Sequence, residues 1–128
     1  MKLEALSQNV QADTFHLYSL KEGMAYVSVL VNYFVTGAPV NEWVLSLPEG
    51  VKNLDVEGRD IRDYITDEGR LTIPLHQPVM GTYQLLLTYE LQAEETLKMD
   101  GLVAEGVQSE RGFIQVVSPG QVLSLIHI

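Results

Sequence analysis

Residues 82–91, TYQLLLTYEL, show most clearly how this chain folds. Large apolar side chains occupy the odd positions and polar side chains the even ones, and Leu86 is the exception. Successive side chains of a β-strand point to opposite faces, so this alternation predicts a strand with one buried side and one side in water. Residues 25–35, AYVSVLVNYFV, repeat the pattern with apolar side chains at every odd position, and they predict a second long strand.

Turn signals divide the rest of the chain at intervals of about eight to twelve residues, which is typical of sandwiches and barrels. They lie at residues 21–23, 37–39, 48–50, 67–69 and 78–81. Shorter alternating runs between them predict strands at residues 10–20, 43–47, 51–57, 71–75 and 112–117. Pro74 lacks a backbone donor, so its strand should lie at a sheet edge or point that position outward.

We therefore predict an all-β fold, an antiparallel β-sandwich of about seven strands, because no long amphipathic helix interrupts the alternation. Residues 92–105 are the hardest to interpret and favour a loop. One shared core should contain the inward side chains of the strongest strands: Val29, Val31, Trp43, Leu45, Leu85 and Leu87.

The domain plan places an N-terminal extension at residues 1–9, the β-sandwich at residues 10–118, and a linker with a tail at residues 119–128. The last six residues, LSLIHI, resemble translated sequencing-adapter sequence, which implies a fragment of a longer protein. The alternative is a short final strand, because Val122, Ser124 and Ile126 alternate with apolar neighbours.

Composition excludes several classes of function. The formal net charge is −9, which disfavours nucleic acid and anionic membrane as partners, since both require a basic surface. The chain has no cysteine, so disulfides, zinc–thiolate sites and thiol nucleophiles are excluded. The longest apolar stretch, residues 24–35, is too short and too polar to span a bilayer.

One acidic group has the character of metal ligands: Asp60, Asp63, Asp67 and Glu68. Calcium requires six to eight oxygens from a pre-bent loop, and this spacing does not match the known calcium loops. Three arginines, Arg59, Arg62 and Arg70, are interleaved with these acids. We expect the arginines to pair with the carboxylates, and we predict no metal site and no cofactor.

No catalytic group stands out among the remaining polar residues. The histidines His16, His76 and His127 are far apart, and each is expected at the surface of a strand. No serine lies in a Gly-x-Ser-x-Gly turn. Glu94 and Glu95 are adjacent and predict a solvated loop rather than an acid–base pair. We predict no catalytic residue in this segment.

The aromatic residues could instead form a platform for a sugar, which needs exposed rings on one face. Alternation places four of them in the core: Tyr33, Trp43, Tyr83 and Tyr89. Tyr18, Tyr26 and Phe34 are left as candidate exposed rings.

Two families resemble residues 10–118. The run from Trp43 to Glu90, with Trp-x-Leu-x-Leu-Pro-x-Gly and Tyr-x-Leu-x-Leu-x-Tyr, and the later residues 106–116 resemble β-rich modules of large bacterial envelope proteins. That resemblance implies a sandwich, a longer parent chain and an extracytoplasmic setting. The Leu71-x-Ile73 and Gly81-x-Tyr83-x-Leu85 segments also resemble the N-terminal β-domain of zinc aminopeptidases, although the chain has no His-Glu-x-x-His motif.

Three functions remain open. The first is a non-enzymatic structural or interaction module whose partners are other domains of the same longer chain or other proteins. The second is an accessory β-domain of a larger hydrolase such as a zinc aminopeptidase. The third is a carbohydrate-binding module.

Overall fold

A computed structural model describes residues 8–92, 103–107, 109–118 and 121–127. These residues form eight β-strands, in this order: β1 (Gln8–Lys21), β2 (Met24–Ser46), β3 (Lys52–Gly58), β4 (Ile65–Asp67), β5 (Arg70–Gln92), β6 (Val103–Ala104), β7 (Ser109–Ser118) and β8 (Gln121–His127). The all-β antiparallel sandwich is confirmed. One pair departs from the antiparallel arrangement, because β1 and β7 run parallel.

Two strands of 23 residues, β2 and β5, organise the fold by pairing along most of their lengths. Their register shifts twice, on either side of the Val40–Val79 pair. Residues 36–39 of β2 lie opposite Met80 alone, and then Asn41 of β2 lies opposite residues 75–78 of β5. Irregularities of this kind bend and twist a strand pair. Gly37 and Gly81, with φ of 77° and 75°, adopt the left-handed conformation that the bend requires.

The bend divides one hydrogen-bonded network into two layers. The first layer contains β3, residues 81–92 of β5, residues 24–35 of β2, then β1, β7 and β8. The second layer contains β4, residues 70–79 of β5, residues 40–46 of β2, and β6. The rings of Tyr33 and Trp43 show that the layers face each other. Ten residues of straight strand would separate them by about 33 Å, yet they stack with centroids 3.7 Å apart.

These bends correct two sequence predictions. The signals at residues 37–39 and 78–81 were interpreted as chain-reversing turns, but they lie inside β2 and β5. Glycine and proline mark an irregular backbone in both cases, and the chain continues in the same strand. The predicted hairpin turns are correct: Glu22 and Gly23 join β1 to β2 with φ of 52° and 79°, the pattern of a type I′ turn.

Pro74 follows the second of its two predicted options. Its strand is not an edge strand, because β2 pairs with it on one side and β4 and the Ile61–Leu75 bridge pair with it on the other. Its carbonyl accepts a hydrogen bond from the Arg62 backbone N–H at 3.0 Å, so its ring nitrogen points to that same outer side. The missing donor therefore faces the connection between β3 and β4 and interrupts no bond to β2.

The core lies between the layers and contains every residue predicted for it: Val29, Val31, Trp43, Leu45, Leu85 and Leu87. β1 contributes a more polar set to the same core, because Thr14 and His16 are buried beside Val10, Ala12 and Tyr18. β1 begins before the predicted start of the sandwich at residue 10, and β8 lies within the predicted tail. The domain boundaries themselves stay predictions.

Candidate functional site

The acidic group builds local structure. The Asp60 carbonyl accepts the His76 backbone N–H at 2.7 Å, and Asp63 Oδ1 accepts the backbone N–H of Tyr64 at 2.8 Å. Asp67 and Glu68 lie at the hairpin between β4 and β5. Within the described residues, no three His, Asp or Glu side chains gather in a way that could hold a metal ion.

The predicted pairing of the arginines with these carboxylates is wrong for two of them. Arg59 donates to the Thr82 carbonyl at 3.0 Å, and its guanidinium lies 5.2 Å from the centre of the Tyr83 ring. Arg70 forms an ion pair with Glu105, with both nitrogen–oxygen distances at 3.2 Å. For Arg59 and Arg70, the contacts are therefore made with residues that are neighbours in the fold and distant in sequence.

The two histidines whose side chains the structure describes, His16 and His76, lie in different layers. His16 is 3% exposed and its ring centroid lies 6.2 Å from that of Tyr18, so the prediction of a surface position is wrong for this residue. His76 is exposed, as predicted. The backbone of His127 lies in β8, and its side chain is outside the described residues. Glu94 and Glu95 also fall outside the described part of the chain.

Four aromatic residues confirm the core prediction: Tyr33, Trp43, Tyr83 and Tyr89 are buried. The Trp43 ring stacks on Tyr33 and lies 5.3 Å from Tyr83, and the Tyr83 hydroxyl donates to the Arg59 carbonyl at 2.6 Å. Burial raises the pKa of both Tyr83 and Tyr89, because a phenolate would lose its hydration. The rings of Tyr33, Trp43 and Tyr83 therefore join the two layers at the bend, and all four buried rings are unsuited to a sugar platform.

The candidate exposed rings divide differently. Tyr18 is fully buried, so its prediction is wrong, whereas Tyr26 and Phe34 are 45% and 47% exposed, as predicted. Both lie on the side of β2 that points away from the second layer. We call this side of the first layer the outer face.

Register brings apolar side chains together on the outer face. Phe15 of β1, Leu30 of β2 and Leu86 of β5 are direct cross-strand neighbours. Leu17 lies two residues along β1 from Phe15 and is 42% exposed. With Tyr26 and Phe34 they form what we call the apolar patch: Phe15, Leu17, Tyr26, Leu30, Phe34 and Leu86.

Polar groups interrupt the patch at one point and border it along one side. Between Leu30 and Phe34, Asn32 and Gln84 are cross-strand neighbours, and with Arg59 they line an open hollow of about 590 Å³. Asn32 Oδ1 is buried there and accepts no hydrogen bond from the described residues. Along the β3 side, Asp55 and Glu57 are exposed and Val56 between them is buried, so both carboxylates belong to the outer face.

Parts of this surface are evident in the sequence, because Leu86 is the exception on a polar side and Tyr26 and Phe34 are candidate exposed rings. Alternation within single strands does not group them with Phe15, Leu17 and Leu30. A signal was present in Tyr26, Leu30 and Phe34, which recur every fourth residue on the even side of β2.

The described residues contain no helix with the length and apolar character needed to cross a membrane. Two kinds of solved structure resemble the fold. A point mutant of the M1 zinc metallopeptidase from Deinococcus radiodurans, bound to a Tyr-Ser-Ala substrate, matches with a TM-score of 0.55 and 14% identity, over 87% of this chain and 32% of that chain. The metallopeptidase without that mutation matches with a TM-score of 0.53 over the same shares.

A non-cellulosomal cohesin from the hyperthermophilic archaeon Archaeoglobus fulgidus matches with a TM-score of 0.44 and 16% identity, over 88% of this chain and 94% of that chain. No protein-family model and no curated protein matches the sequence. This chain therefore spans about a third of the metallopeptidase chains, and at these identities the likeness to them shows a shared β-fold and nothing more about activity.

Proposed function

We propose that this chain is a non-enzymatic β-sandwich module that docks on another domain of a longer chain or on a separate protein. The observation that carries the proposal is the apolar patch. Its sheet already buries one side in the core, so the patch contributes nothing to the contact between the layers. Its central row, Phe15, Leu30 and Leu86, is contiguous by register, and contiguous exposed apolar surface marks interaction sites in soluble proteins.

The setting of the module is part of the same proposal. The resemblance of residues 10–118 to modules of large bacterial envelope proteins supports an extracytoplasmic parent. A β-sandwich that packs one sheet face against a neighbouring domain suits such a chain. It would hold the domains at a fixed distance, and this role requires no catalytic residues.

Selection of a peptide library on the immobilised chain tests the module's binding face. We expect the enriched peptides to bind the apolar patch, and Leu86→Ser to weaken them about tenfold, the size of effect that a central interface residue has. Ile65→Ser is the matched control, because Ile65 is 58% exposed but lies in the second layer. Enriched peptides that bind Leu86→Ser as tightly as the original chain would contradict the proposal.

A second candidate is the accessory β-domain of a larger hydrolase such as a zinc aminopeptidase. The fold likeness to the M1 metallopeptidase favours it. Sequencing the gene in both directions from this segment tests it, because a His-Glu-x-x-His motif in the same reading frame would support it and a complete gene without one would exclude it.

The carbohydrate alternative has weaker geometric support. Tyr26 and Phe34 are eight residues apart on one strand, which separates them by about 26 Å. Two rings at that distance cannot stack on the same sugar or on its neighbour. A glycan array on the folded chain tests this alternative.

A further inference from the structure

The outer face is apolar in its centre and acidic along one side. Glu57 of β3 is the cross-strand neighbour of Leu86, and Asp55 is the neighbour of Thr88. Both carboxylates are exposed, and neither forms an ion pair with any described residue. Further along, Glu90 accepts a hydrogen bond from the Asn53 amide. The apolar patch therefore ends at two carboxylates, Asp55 and Glu57, which lie between Lys52, the cross-strand neighbour of Glu90, and Arg59.

Asp55 and Glu57 form no side-chain hydrogen bond or ion pair with the part of the chain that the structure describes. Val56 between them packs into the core, whereas Asp55 and Glu57 point to water beside large apolar side chains. A carboxylate at the border of an apolar contact favours a cationic partner and repels an anionic one. The same charges oppose an anionic lipid surface.

A second copy of this chain is a poor occupant for the same reason. Each copy carries a net charge of −9, so two copies repel each other, and a face-to-face contact that overlaps their β3 sides would also bring the two acidic sides within a Debye length, about 8 Å at physiological salt. The repulsion would act against the burial of the two patches. A partner of opposite charge gains from both contributions.

We propose, on the basis of the function proposed above, that the outer face binds a protein surface that is apolar in its centre and positively charged along one side. The partner covers the row Phe15–Leu30–Leu86 with apolar side chains and places lysine or arginine against Asp55 and Glu57. The pairing is between unlike surfaces, and the acidic side determines the orientation of the partner on the sheet.

Two peptides of opposite charge serve as probes, one of alternating leucine and lysine and one of alternating leucine and glutamate. Affinities are measured by fluorescence anisotropy, and chemical-shift changes locate the binding site. We expect the lysine peptide to bind the outer face at least tenfold more tightly than the glutamate peptide. Leu86→Ser should weaken the lysine peptide about tenfold, and Glu57→Gln about threefold, since a border charge contributes less than a central contact.

Matched variants control for composition and total charge. Glu68→Gln removes one carboxylate at the β4–β5 hairpin, away from the outer face, and Ile65→Ser removes one exposed apolar side chain there. Neither should change the affinity of the lysine peptide by more than about 1.5-fold, because surface charges beyond a Debye length are largely screened. Thermal melting of each variant verifies that it folds.

The outcomes separate this inference from the function on which it rests. If both peptides bind at the patch with equal affinity and Glu57→Gln has no effect, the proposal of a cationic partner is refuted. The proposal that the outer face is a docking surface is then retained. If the original chain dimerises in sedimentation experiments and Leu86→Ser abolishes the dimer, the unlike partner is refuted and the docking face again stands. If Leu86→Ser changes no affinity at all, both proposals are refuted.

Discussion

Replacing Gly58 with alanine tests the contact that closes β3 against β5. A Cβ atom at Gly58 would lie 2.6 Å from the Tyr83 hydroxyl oxygen, 3.0 Å from Ile61 Cδ1 and 3.3 Å from Leu85 Cδ1. Gly58 does not adopt a positive φ, so the penalty comes from crowding and not from backbone strain. The hydroxyl cannot retreat easily, because it donates to the Arg59 carbonyl at 2.6 Å.

We expect Gly58→Ala to lower the free energy of unfolding by about 2 kcal/mol, within the range found for overpacked cores. Tyr83→Phe alone should cost about 1 kcal/mol through the lost hydrogen bond. In the double variant the nearest obstacle is gone, and the two remaining contacts are the mobile ends of aliphatic side chains. The loss of unfolding free energy in the double variant should therefore be about 1 kcal/mol smaller than the sum of the losses in the two single variants.

Equilibrium unfolding in urea measures all three variants, and the double-mutant cycle isolates the coupling between the two sites. Gly23→Ala is the control, because Gly23 has a φ of 79° but no atom within 4 Å of the added Cβ. Its cost should add to that of Tyr83→Phe without coupling. Additive costs for Gly58→Ala and Tyr83→Phe would refute the contact between them, as would a Gly58→Ala cost below about 0.5 kcal/mol.

Three further predictions concern the core, the surface and the tail. Leu85→Ala should cost about 3 kcal/mol through lost burial and a cavity, whereas Thr88→Ala on the opposite side of β5 should cost under about 1 kcal/mol; equal melting shifts would contradict the register. The Arg70–Glu105 ion pair has exposed fractions of 63% and 30%, so Glu105→Gln should cost less than about 1 kcal/mol and less still in high salt; a larger, salt-independent loss would show that the pair is structural. A chain that ends at residue 120 should melt within about 3 °C of the full chain, a shift worth under about 1 kcal/mol, and be more soluble, because it lacks an apolar edge strand; unfolding on deletion of residues 121–128 would make β8 integral to the sheet.

Alternation alone was sufficient to predict the centre of the fold. Val29, Val31, Leu85 and Leu87 lie at odd positions of strongly patterned runs, and each is buried. A run in which every second residue is large and apolar has one arrangement that removes those side chains from water. Sequence and structure therefore agree wherever the contrast between the two sides is strong.

Prediction failed on β1, where the contrast is weak. Its buried side contains Thr14 and His16, and its outer side contains Phe15 and Leu17. Within residues 14–17, composition alone would choose the wrong side as the core. Pairing with β2 and β7 overrides that preference, and the same pairing buries Tyr18.

The continuity of β2 and β5 through the bend could not be recognised from local sequence, because it depends on how the two strands pair with each other. Gly37 and Pro39 look like a chain reversal until residues 75–81 are seen to bend at the same place. The apolar patch has the same origin. Phe15, Leu30 and Leu86 are far apart in the chain, and only the register of three strands makes them neighbours.

The bend in β2 and β5 also determines how the molecule can open. Each of these strands is a single hydrogen-bonded segment that belongs to both layers, so the layers share two backbones and are not separate sheets held by side chains alone. Amide protons in residues 40–46 and in residues 25–35 should then exchange through one common opening event, with similar free energies. Sub-global unfolding would be confined to the peripheral strands, and force applied to either layer would be transmitted along covalent chain to the other.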